Sequence, residues 1–258
     1  MTVDPTSRFT DRASAASAAR LLTPATGMAH GSAELRAAGV GDEVWQSGIV
    51  LDAVGGRGGL QRVRLPEGAT ALVRHYRRGG AMARWFGDRY WFTTVDRTRC
   101  FAEFRLLEKL QRKGLPAPRP LAARFQRSGP WYRADLAMQE LPGVQTLHGW
   151  FDGLTAVPTD LVGRRVGSTI GRFHRAGLWH ADLNAYNVLL DADQSVWLVD
   201  FDRGEFRVPR RTWQQANLHR LRRSLNKLGH VHRPGFEQVF WQPLLAAHAA
   251  ALEGALGP

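Results

Sequence analysis

Residues 180–187 read HADLNAYN, and residues 199–202 read VDFD. The segment between them, VLLDADQSVWLV, predicts a β-hairpin with DADQ at its tip, which would bring Asp182, Asn187 and Asp200 together. On a loop, an aspartate can accept a proton from a hydroxyl, whereas an asparagine and a second aspartate offer the hard oxygen ligands that suit Mg²⁺. The joint spacing of these three residues is typical of a phosphoryl-transfer site rather than of a chance polar turn.

Short strands dominate the chain before that stretch. SGIVLDAV (47–54), LQRVRLP (60–66) and TALVRHY (70–76) read as three strands of a meander, and LAARFQR (121–127) and WYRADLAMQ (131–139) read as two more. The sequence therefore predicts a β-rich unit at the beginning of the protein.

Apolar residues at helical spacing occur in one segment of this β-rich unit and in three segments after it. In residues 96–114 the apolar positions fall three residues apart, with Asp96 placed as the N-cap and Gly114 beyond the end. Residues 158–176, 211–228 and 235–253 are also helical in pattern. The predicted fold class is α+β with two lobes: an N-terminal β-rich lobe with one helix, then a C-terminal, mainly helical lobe that carries the hairpin.

Composition indicates a globular protein with an anionic partner. The 258 residues are 44% hydrophobic, which suffices for a packed core, and the formal net charge is +12. Three of the 35 basic residues are lysine, so arginine supplies the other 32. This excess favours nucleic acid, a phosphorylated ligand or an anionic membrane surface as partner. An arginine-rich solvated surface that reflects codon usage is the alternative.

Cysteine content and hydropathy indicate in which cellular compartment the protein acts. Cys100 is the single cysteine, which excludes an intramolecular disulfide or a zinc cluster of cysteines and suits a reducing cytosol. No stretch approaches the ~20 apolar residues of a membrane span. Residues 1–32 lack the apolar core of a signal peptide, so we interpret residues 1–40 as a poorly ordered extension.

The pattern H-x-D-L-x-x-x-N followed by D-F resembles the catalytic and metal loops of the protein-kinase-like fold. The resemblance implies that Asp182 is the base or hydroxyl-orienting group, that Asn187 and Asp200 hold Mg²⁺ against the phosphates of ATP, and that His180 is structural. Asn184 stands where protein kinases usually carry lysine, and DFD replaces DFG. Only about ten residues separate Asp200 from the next predicted helix. A peptide-binding activation loop does not fit there, so we expect a small-molecule or glycan acceptor.

The same fold leads us to expect a nucleotide site in residues 41–139, with residues 140–258 as the catalytic lobe. Where V-A-I-K would supply a phosphate-binding lysine, this chain has A-L-V-R, which makes Arg74 the candidate clamp. Its expected acidic partner is Glu103, with Glu108 as the second choice. Backbone groups near Glu140 and Leu141 are expected to face the adenine. Backbone N–H groups for the phosphates would come from the glycine-rich turn Gly55, Gly56, Gly58 and Gly59, although an ordinary hairpin turn is the alternative.

Six segments together resemble the lipopolysaccharide kinase family, from about residue 45 to about residue 230. They are VRHYRRGG (73–80), DRYWF (88–92), RTRCFAEFRLL (97–107), LPAPRPLAAR (115–124), HADLNAYNVLLD (180–191) and WLVDFDRGEFR (197–207). The resemblance implies a kinase of lipopolysaccharide core biosynthesis that transfers the γ-phosphate of ATP to the 4-hydroxyl of a 3-deoxy-D-manno-octulosonic acid (Kdo) sugar on a lipid A precursor. It also implies a peripheral protein on the cytoplasmic face of the inner membrane of a Gram-negative bacterium.

Partners and acceptor residues follow from that resemblance. We expect a Kdo–lipid A glycolipid and an anionic membrane surface, and neither nucleic acid nor an obligate protein partner. Arg77, Arg78 and Arg203 are candidate acceptor-side residues because they flank the expected phosphate and metal positions in sequence. The basic residues of 211–228 could meet anionic headgroups, form a solvated helix face, or do both.

Three other functions stay open at the level of sequence. A core heptose kinase, or an antibiotic or small-alcohol phosphotransferase, would use the same fold. A pseudokinase is suggested by Arg74, by DFD and by the incomplete glycine pattern. A basic nucleic-acid-binding protein would show affinity that falls steeply with salt and would not need Asp182.

Overall fold

A computed structural model of the chain describes residues 28–30, 49–53, 60–65, 68, 70–77, 87–154 and 160–254. For the first two of these ranges the description covers the backbone alone. The glycine-rich turn at residues 55–59 and Arg78 lie outside the described residues, so their proposed roles stay predictions.

A seven-stranded antiparallel sheet forms the N-terminal part. Its strands are β1 (Met28–His30), β2 (Ile49–Ala53), β3 (Leu60–Arg64), β4 (Thr70–His75), β5 (Tyr90–Trp91), β6 (Pro120–Ser128) and β7 (Trp131–Gln139). The spatial order is β1-β6-β7-β4-β3-β2, with β5 paired to the beginning of β7. The predicted meander β2-β3-β4 and the strand pair β6-β7 are confirmed. β1, which falls within residues 1–40, and β5 were not predicted.

Among the described residues of the N-terminal part, helix α1 (Arg99–Arg112) packs on this sheet. It buries Phe101, Phe104, Leu107 and Leu110, the four residues whose spacing predicts it. The predicted N-cap at Asp96 is wrong, because Thr98 occupies the cap position and residue 96 lies in a preceding 3₁₀ turn.

Helices and short strands make up the C-terminal part. They are β8 (Gln145–Thr146), α2 (Leu147–Asp152), α3 (Asp160–Arg175), β9 (Leu178–Trp179), β10 (Val188–Leu190), β11 (Val196–Leu198), β12 (Glu205–Phe206), α4 (Arg211–Lys227), a 3₁₀ turn (His230–His232), a π-helical turn (Phe236–Trp241) and α5 (Gln242–Glu253). β10 and β11 form the predicted hairpin, and β8 joins it. The fold is thus α+β, with a sheet-rich N-terminal part and a helical C-terminal part, as the sequence predicts.

Helices α3 and α5 approach each other unusually closely. Gly163, Gly167 and Gly171 line the contact face of α3, and a Cβ atom at Gly167 would lie 2.0 Å from the carbonyl oxygen of Leu244. Any side chain at this position would push the two backbones apart.

The hydrophobic core runs continuously from α1 and the sheet into the helical part. Below the loop of residues 180–187 it contains Leu183, Ala185, Val188 and Phe201, all of them buried. Buried apolar side chains therefore hold the backbone that carries the polar residues of the loop. In the part of the chain that the structure describes, no helix combines the length and the apolar character needed to cross a membrane.

Candidate active site

The loop at residues 180–187 is anchored through His180. The ring Nδ1 of His180 accepts a hydrogen bond from the backbone N–H of Asp182 at 3.1 Å, so Nε2 carries the proton and donates to the carbonyl of Val199 at 3.0 Å. Burial lowers the pKa of His180, which keeps the ring neutral as this arrangement requires. On α4, Asn217 accepts from the backbone N–H of His180 at 3.2 Å and donates to its carbonyl at 2.9 Å. The loop is thereby fixed to both the hairpin and α4.

Asparagine side chains then shape the turn that carries Asp182. The amide nitrogen of Asn187 donates to the backbone carbonyl of Asp182 at 2.9 Å. Asn184 accepts from the backbone N–H groups of Tyr186 and Asn187, and its own amide donates to Asp182 Oδ2 at 3.0 Å. On the other side of the carboxylate, Arg220 Nη1 lies 3.5 Å from Asp182 Oδ1. Asn184, known from the sequence only as a departure from the kinase pattern, holds Asp182 in position.

Asp200 follows β11 in an uncommon backbone conformation. Its φ is +61°, a left-handed value that non-glycine residues adopt infrequently and that aspartate tolerates better than most. The next residue, Phe201, is buried against the rings of His180 and Phe173, with ring centroids 5.1 and 5.8 Å apart. This turn directs the carboxylate of Asp200 towards β4.

Arg74 on β4 connects Asp200 to α1. Its Nη1 lies 2.5 Å from Asp200 Oδ1, and its Nη2 pairs with the carboxylate of Glu103, to which the hydroxyl of Tyr76 also donates at 2.6 Å. Glu103, rather than Glu108, is therefore the acidic residue in contact. Burial alone would lower the pKa of Arg74, but the negative charges of its partners outweigh burial and raise it, so the guanidinium stays charged. Burial raises the pKa of Glu103 and opposes the effect of Arg74.

One donor of this guanidinium is left over. The Nε of Arg74 is buried and has no hydrogen-bond partner among the described residues. A buried unpaired N–H costs free energy unless a ligand takes it up, and a phosphate oxygen is a suitable acceptor. The orphaned donor therefore fits the phosphate-binding role expected for Arg74.

The second acidic residue of DFD also pairs with α1. Arg99, at the first position of that helix, forms a two-pronged ion pair with Asp202, in which Arg99 Nε lies 2.9 Å from Asp202 Oδ1. Arg99 Nη1 also donates to the hydroxyl of Tyr90 at 2.8 Å. Two ion pairs, Arg74–Asp200 and Arg99–Asp202, thus join the DFD segment to the N-terminal part. The pair at Asp202 was missed because nothing in the local sequence signals a contact across 103 residues.

A cleft of about 650 Å³ lies between the two parts of the molecule. Apolar side chains line most of it: Leu60, Leu72, Met138, Leu189 and Val199. Arg74, Glu140, Asn187 and Asp200 line it as polar residues, and Leu141 lines it next to Glu140. Glu140 accepts from Arg62 Nε at 2.7 Å. A slot with apolar walls and a charged lining suits a planar base with phosphates attached.

The predicted acceptor-side arginines divide into three cases. Arg203 lines a separate pocket beside Asp182, together with Trp179 and Arg220. Arg77 is exposed, and it lines neither that pocket nor the cleft. Arg78 lies outside the described residues. Arg220 and Trp179 were not predicted, because the pocket is assembled from β9, the DFD turn and α4.

The arrangement of Asp182, Asn187, Asp200 and Arg74 suits phosphoryl transfer. The family model described as lipopolysaccharide kinase (Kdo/WaaP) family matches residues 42–248, and the chain belongs to that family. It is accordingly a kinase that uses ATP and an alcohol acceptor.

Curated relatives are similar over two thirds of the chain. A 3-deoxy-D-manno-octulosonic acid kinase of Stenotrophomonas maltophilia (strain R551-3) is 48% identical over 174 residues, which are 67% of this chain and 68% of that protein. The protein of the same name from Xanthomonas campestris pv. campestris (strain B100) is 51% identical over 176 residues, with the same coverage. A solved structure, WaaP in complex with acyl carrier protein, has a TM-score of 0.45 and 17% identity, covering 88% of this chain and 94% of its own.

Proposed function

We propose that this protein transfers the γ-phosphate of ATP to the 4-hydroxyl of a Kdo residue on a Kdo–lipid A precursor, in lipopolysaccharide core biosynthesis. The observation that carries the proposal is the position of the loop at residues 180–187 between two cavities. Asn187 lines the cleft with apolar walls, and Asp182, to whose carbonyl its amide donates, lines the neighbouring polar pocket. The nucleotide and the acceptor can therefore meet at this loop. The names of the relatives support Kdo as the acceptor.

The nucleotide occupies the cleft in this proposal. The apolar side chains enclose the adenine, and Glu140 and Leu141 lie along its edge. The phosphates extend to Arg74, where the unpaired Nε donates to a phosphate oxygen. The predicted glycine-rich turn at residues 55–59 would supply further backbone N–H groups to the phosphates.

Asn187 and Asp200 fit the role of Mg²⁺ ligands. Because the amide nitrogen of Asn187 is engaged with the carbonyl of Asp182, its amide oxygen is the atom that can bind a cation. Asp200 contributes a carboxylate that is held in place by Arg74. Bound Mg²⁺ would neutralise charge on the phosphates.

Asp182 then serves the acceptor. The oxygen of the sugar hydroxyl attacks the γ-phosphorus, the bond from phosphorus to the bridging oxygen breaks, and ADP leaves. The hydroxyl proton passes to the carboxylate of Asp182, which Asn184 and Arg220 hold from either side.

The protein acts at the cytoplasmic face of the inner membrane in this proposal, bound to its surface. On α4, Leu218, Leu221 and Leu225 are buried in the core, whereas Arg223 and Lys227 are exposed. The outer face of the helix is therefore basic, which favours electrostatic contact with anionic headgroups, each worth about 1 kcal/mol. Retention of the protein on vesicles with anionic lipid but not on neutral ones tests this, and equal retention would contradict it.

An acceptor screen with labelled ATP and Mg²⁺ tests the reaction itself. We expect label on Kdo–lipid A, and none on a neutral heptose acceptor or on small alcohols. Asp182→Ala and Asp200→Ala are each expected to abolish transfer while thermal unfolding stays cooperative. Transfer to heptose but not to Kdo would overturn the choice of acceptor, and near-normal turnover in Asp182→Ala would overturn its role as base.

A further inference from the structure

The pocket beside Asp182 carries two positively charged side chains. It has a volume of about 400 Å³, within the range of small-molecule sites. Trp179, Ala181, Asp182, Arg203 and Arg220 line it. Two guanidinium groups thus line the same pocket as the proposed base, outside the cleft that receives the nucleotide.

We propose that Arg203 and Arg220 bind a carboxylate of the acceptor sugar and thereby select an acidic sugar over a neutral one. This inference rests on the proposed function, because it takes the pocket beside Asp182 as the acceptor site.

Arg220 has more N–H donors than its contact with Asp182 uses. Its side chain is 42% exposed, and its contact with Asp182 Oδ1, at 3.5 Å, is at the limit of a hydrogen bond. A guanidinium has five N–H donors and can hold a carboxylate by two of them. A second carboxylate beside Asp182 can therefore share this cation.

Arg203 is presented to the pocket by an unusual turn. Its φ is +60°, in the left-handed region, and the turn is closed by the N–H of Gly204, which donates to the carbonyl of Phe201 at 2.7 Å. A glycine would adopt this conformation more easily, so the arginine is held against a backbone preference. Its side chain is 76% exposed and lies 4.0 Å from Asp202, a carboxylate that already pairs with Arg99. The structure therefore leaves Arg203 available to a ligand.

Trp179 is the aromatic residue that lines the pocket. The guanidinium of Arg207 lies 3.7 Å from the centre of its ring system, and its backbone pairs with Glu205 across β9 and β12. A flat side chain held in this way can pack against the carbon face of a sugar ring. The pocket thus combines a surface for the ring with cations for an acidic substituent.

Charge explains why both cations matter. An acceptor carboxylate placed next to Asp182 without them would be repelled, because the base is itself negative in its proton-accepting form. With Arg203 and Arg220 present, the pocket holds two positive side chains and one negative one. A bound carboxylate brings the summed charge of the pocket to zero, whereas a neutral sugar leaves it with a net positive charge.

The test compares two acceptors in four proteins. The acceptors are Kdo–lipid A and the same molecule with its carboxyl group reduced to an alcohol, and the proteins are wild type, Arg203→Gln, Arg220→Gln and the control Arg112→Gln at the exposed end of α1. A lost charge-assisted hydrogen bond predicts a roughly ten- to hundredfold higher KM for Kdo–lipid A in each pocket variant, with the KM for ATP unchanged. Carboxyl reduction should cost the wild type a similar factor and cost Arg220→Gln much less. The control should match the wild type.

Equal use of both acceptors by the wild type, or an equal penalty for reduction in wild type and variants, would overturn the carboxylate clamp. A direct binding measurement separates this from failure of the proposed function. Calorimetric titration with free Kdo requires no turnover and should show binding that Arg220→Gln loses. Binding of this kind without phosphotransfer would refute the proposed reaction and support the clamp. Phosphotransfer to Kdo without the carboxyl dependence would support the reaction and refute the clamp.

Discussion

Replacement of Arg74 separates its contribution to stability from its contribution to catalysis. The side chain is 18% exposed and that of Glu103 is 2% exposed, so Arg74→Met leaves a buried carboxylate without its cation. Removal of one partner of a buried ion pair costs about 3–5 kcal/mol. Since 1 kcal/mol shifts the Tm of a chain of this size by about 2–4 °C, we expect Tm to fall by about 6–20 °C.

The double variant Arg74→Met/Glu103→Gln removes both charges and keeps an amide for the hydroxyl of Tyr76. We expect it to recover most of the lost stability, because no unpaired charge stays buried. Activity should not recover, because the phosphate still lacks its donor. Loss of one preorganised donor lowers kcat by about 10²–10³, and any loss of at least tenfold in kcat or kcat/KM for ATP agrees with the proposed role.

The measurements are thermal unfolding without nucleotide, and ADP release at varied ATP concentration. Arg112→Gln, an exposed arginine at the end of α1, is the control for loss of positive charge. If activity returned together with stability in the double variant, Arg74 would serve the fold alone. The phosphate clamp would then have to be sought elsewhere.

Three further predictions concern the DFD segment, a helix contact and the buried histidines. Asp202→Asn should lower kcat about tenfold and Tm by a few degrees. Adding Arg99→Gln to this variant should lower them little further, because both substitutions break the same contact. Additive losses of kcat in the double variant would contradict a shared role. Gly167→Ala should destabilise by about 1–3 kcal/mol, since α5 must move, with kcat/KM retained at low temperature; an unchanged Tm would refute the close approach. Burial lowers the pKa of His174 to about 3 and that of His248 to about 4. Below pH 6.5 the unfolded chain takes up protons that the folded one does not, so stability falls as pH falls from 6.5 to 4, by up to about 1.4 kcal/mol per pH unit for each histidine. In urea unfolding His248→Gln should show a shallower decline, and an identical slope would contradict this.

The longer elements of the fold could be predicted because their signals are local. The alternation of apolar residues in β4 lies within one strand, and Phe101, Phe104, Leu107 and Leu110, three positions apart, lie within one helix. The two-residue strands β5, β8, β9 and β12 have no such signal, since they exist only through pairing with distant strands. The helix start was misplaced because both Asp96 and Thr98 are residue types that cap helices; Asp96 lies within a 3₁₀ turn, so the α-helix begins only after Thr98.

The sequence predicted the candidate site only for residues that belong to one motif or to a recognised fold. The spacing around the hairpin singled out Asp182, Asn187 and Asp200, and the structure brings Asn187 into contact with the backbone of Asp182. The Arg74–Glu103 contact follows from resemblance to a fold, not from the residues between them. Contacts from distant elements to the loop and the DFD segment had no local signal: Asn217 on α4, Arg220 on α4, and Arg99 on α1.

The most direct test of the account is mass spectrometry of Kdo–lipid A after incubation with the protein, ATP and Mg²⁺. The account predicts a gain of one phosphate, located on the 4-hydroxyl of Kdo by fragmentation and by NMR of the released sugar. The same incubation with Asp182→Asn should leave the glycolipid unchanged. An unmodified glycolipid in the wild-type reaction, or a phosphate on the lipid A sugars and not on Kdo, would contradict the proposed function.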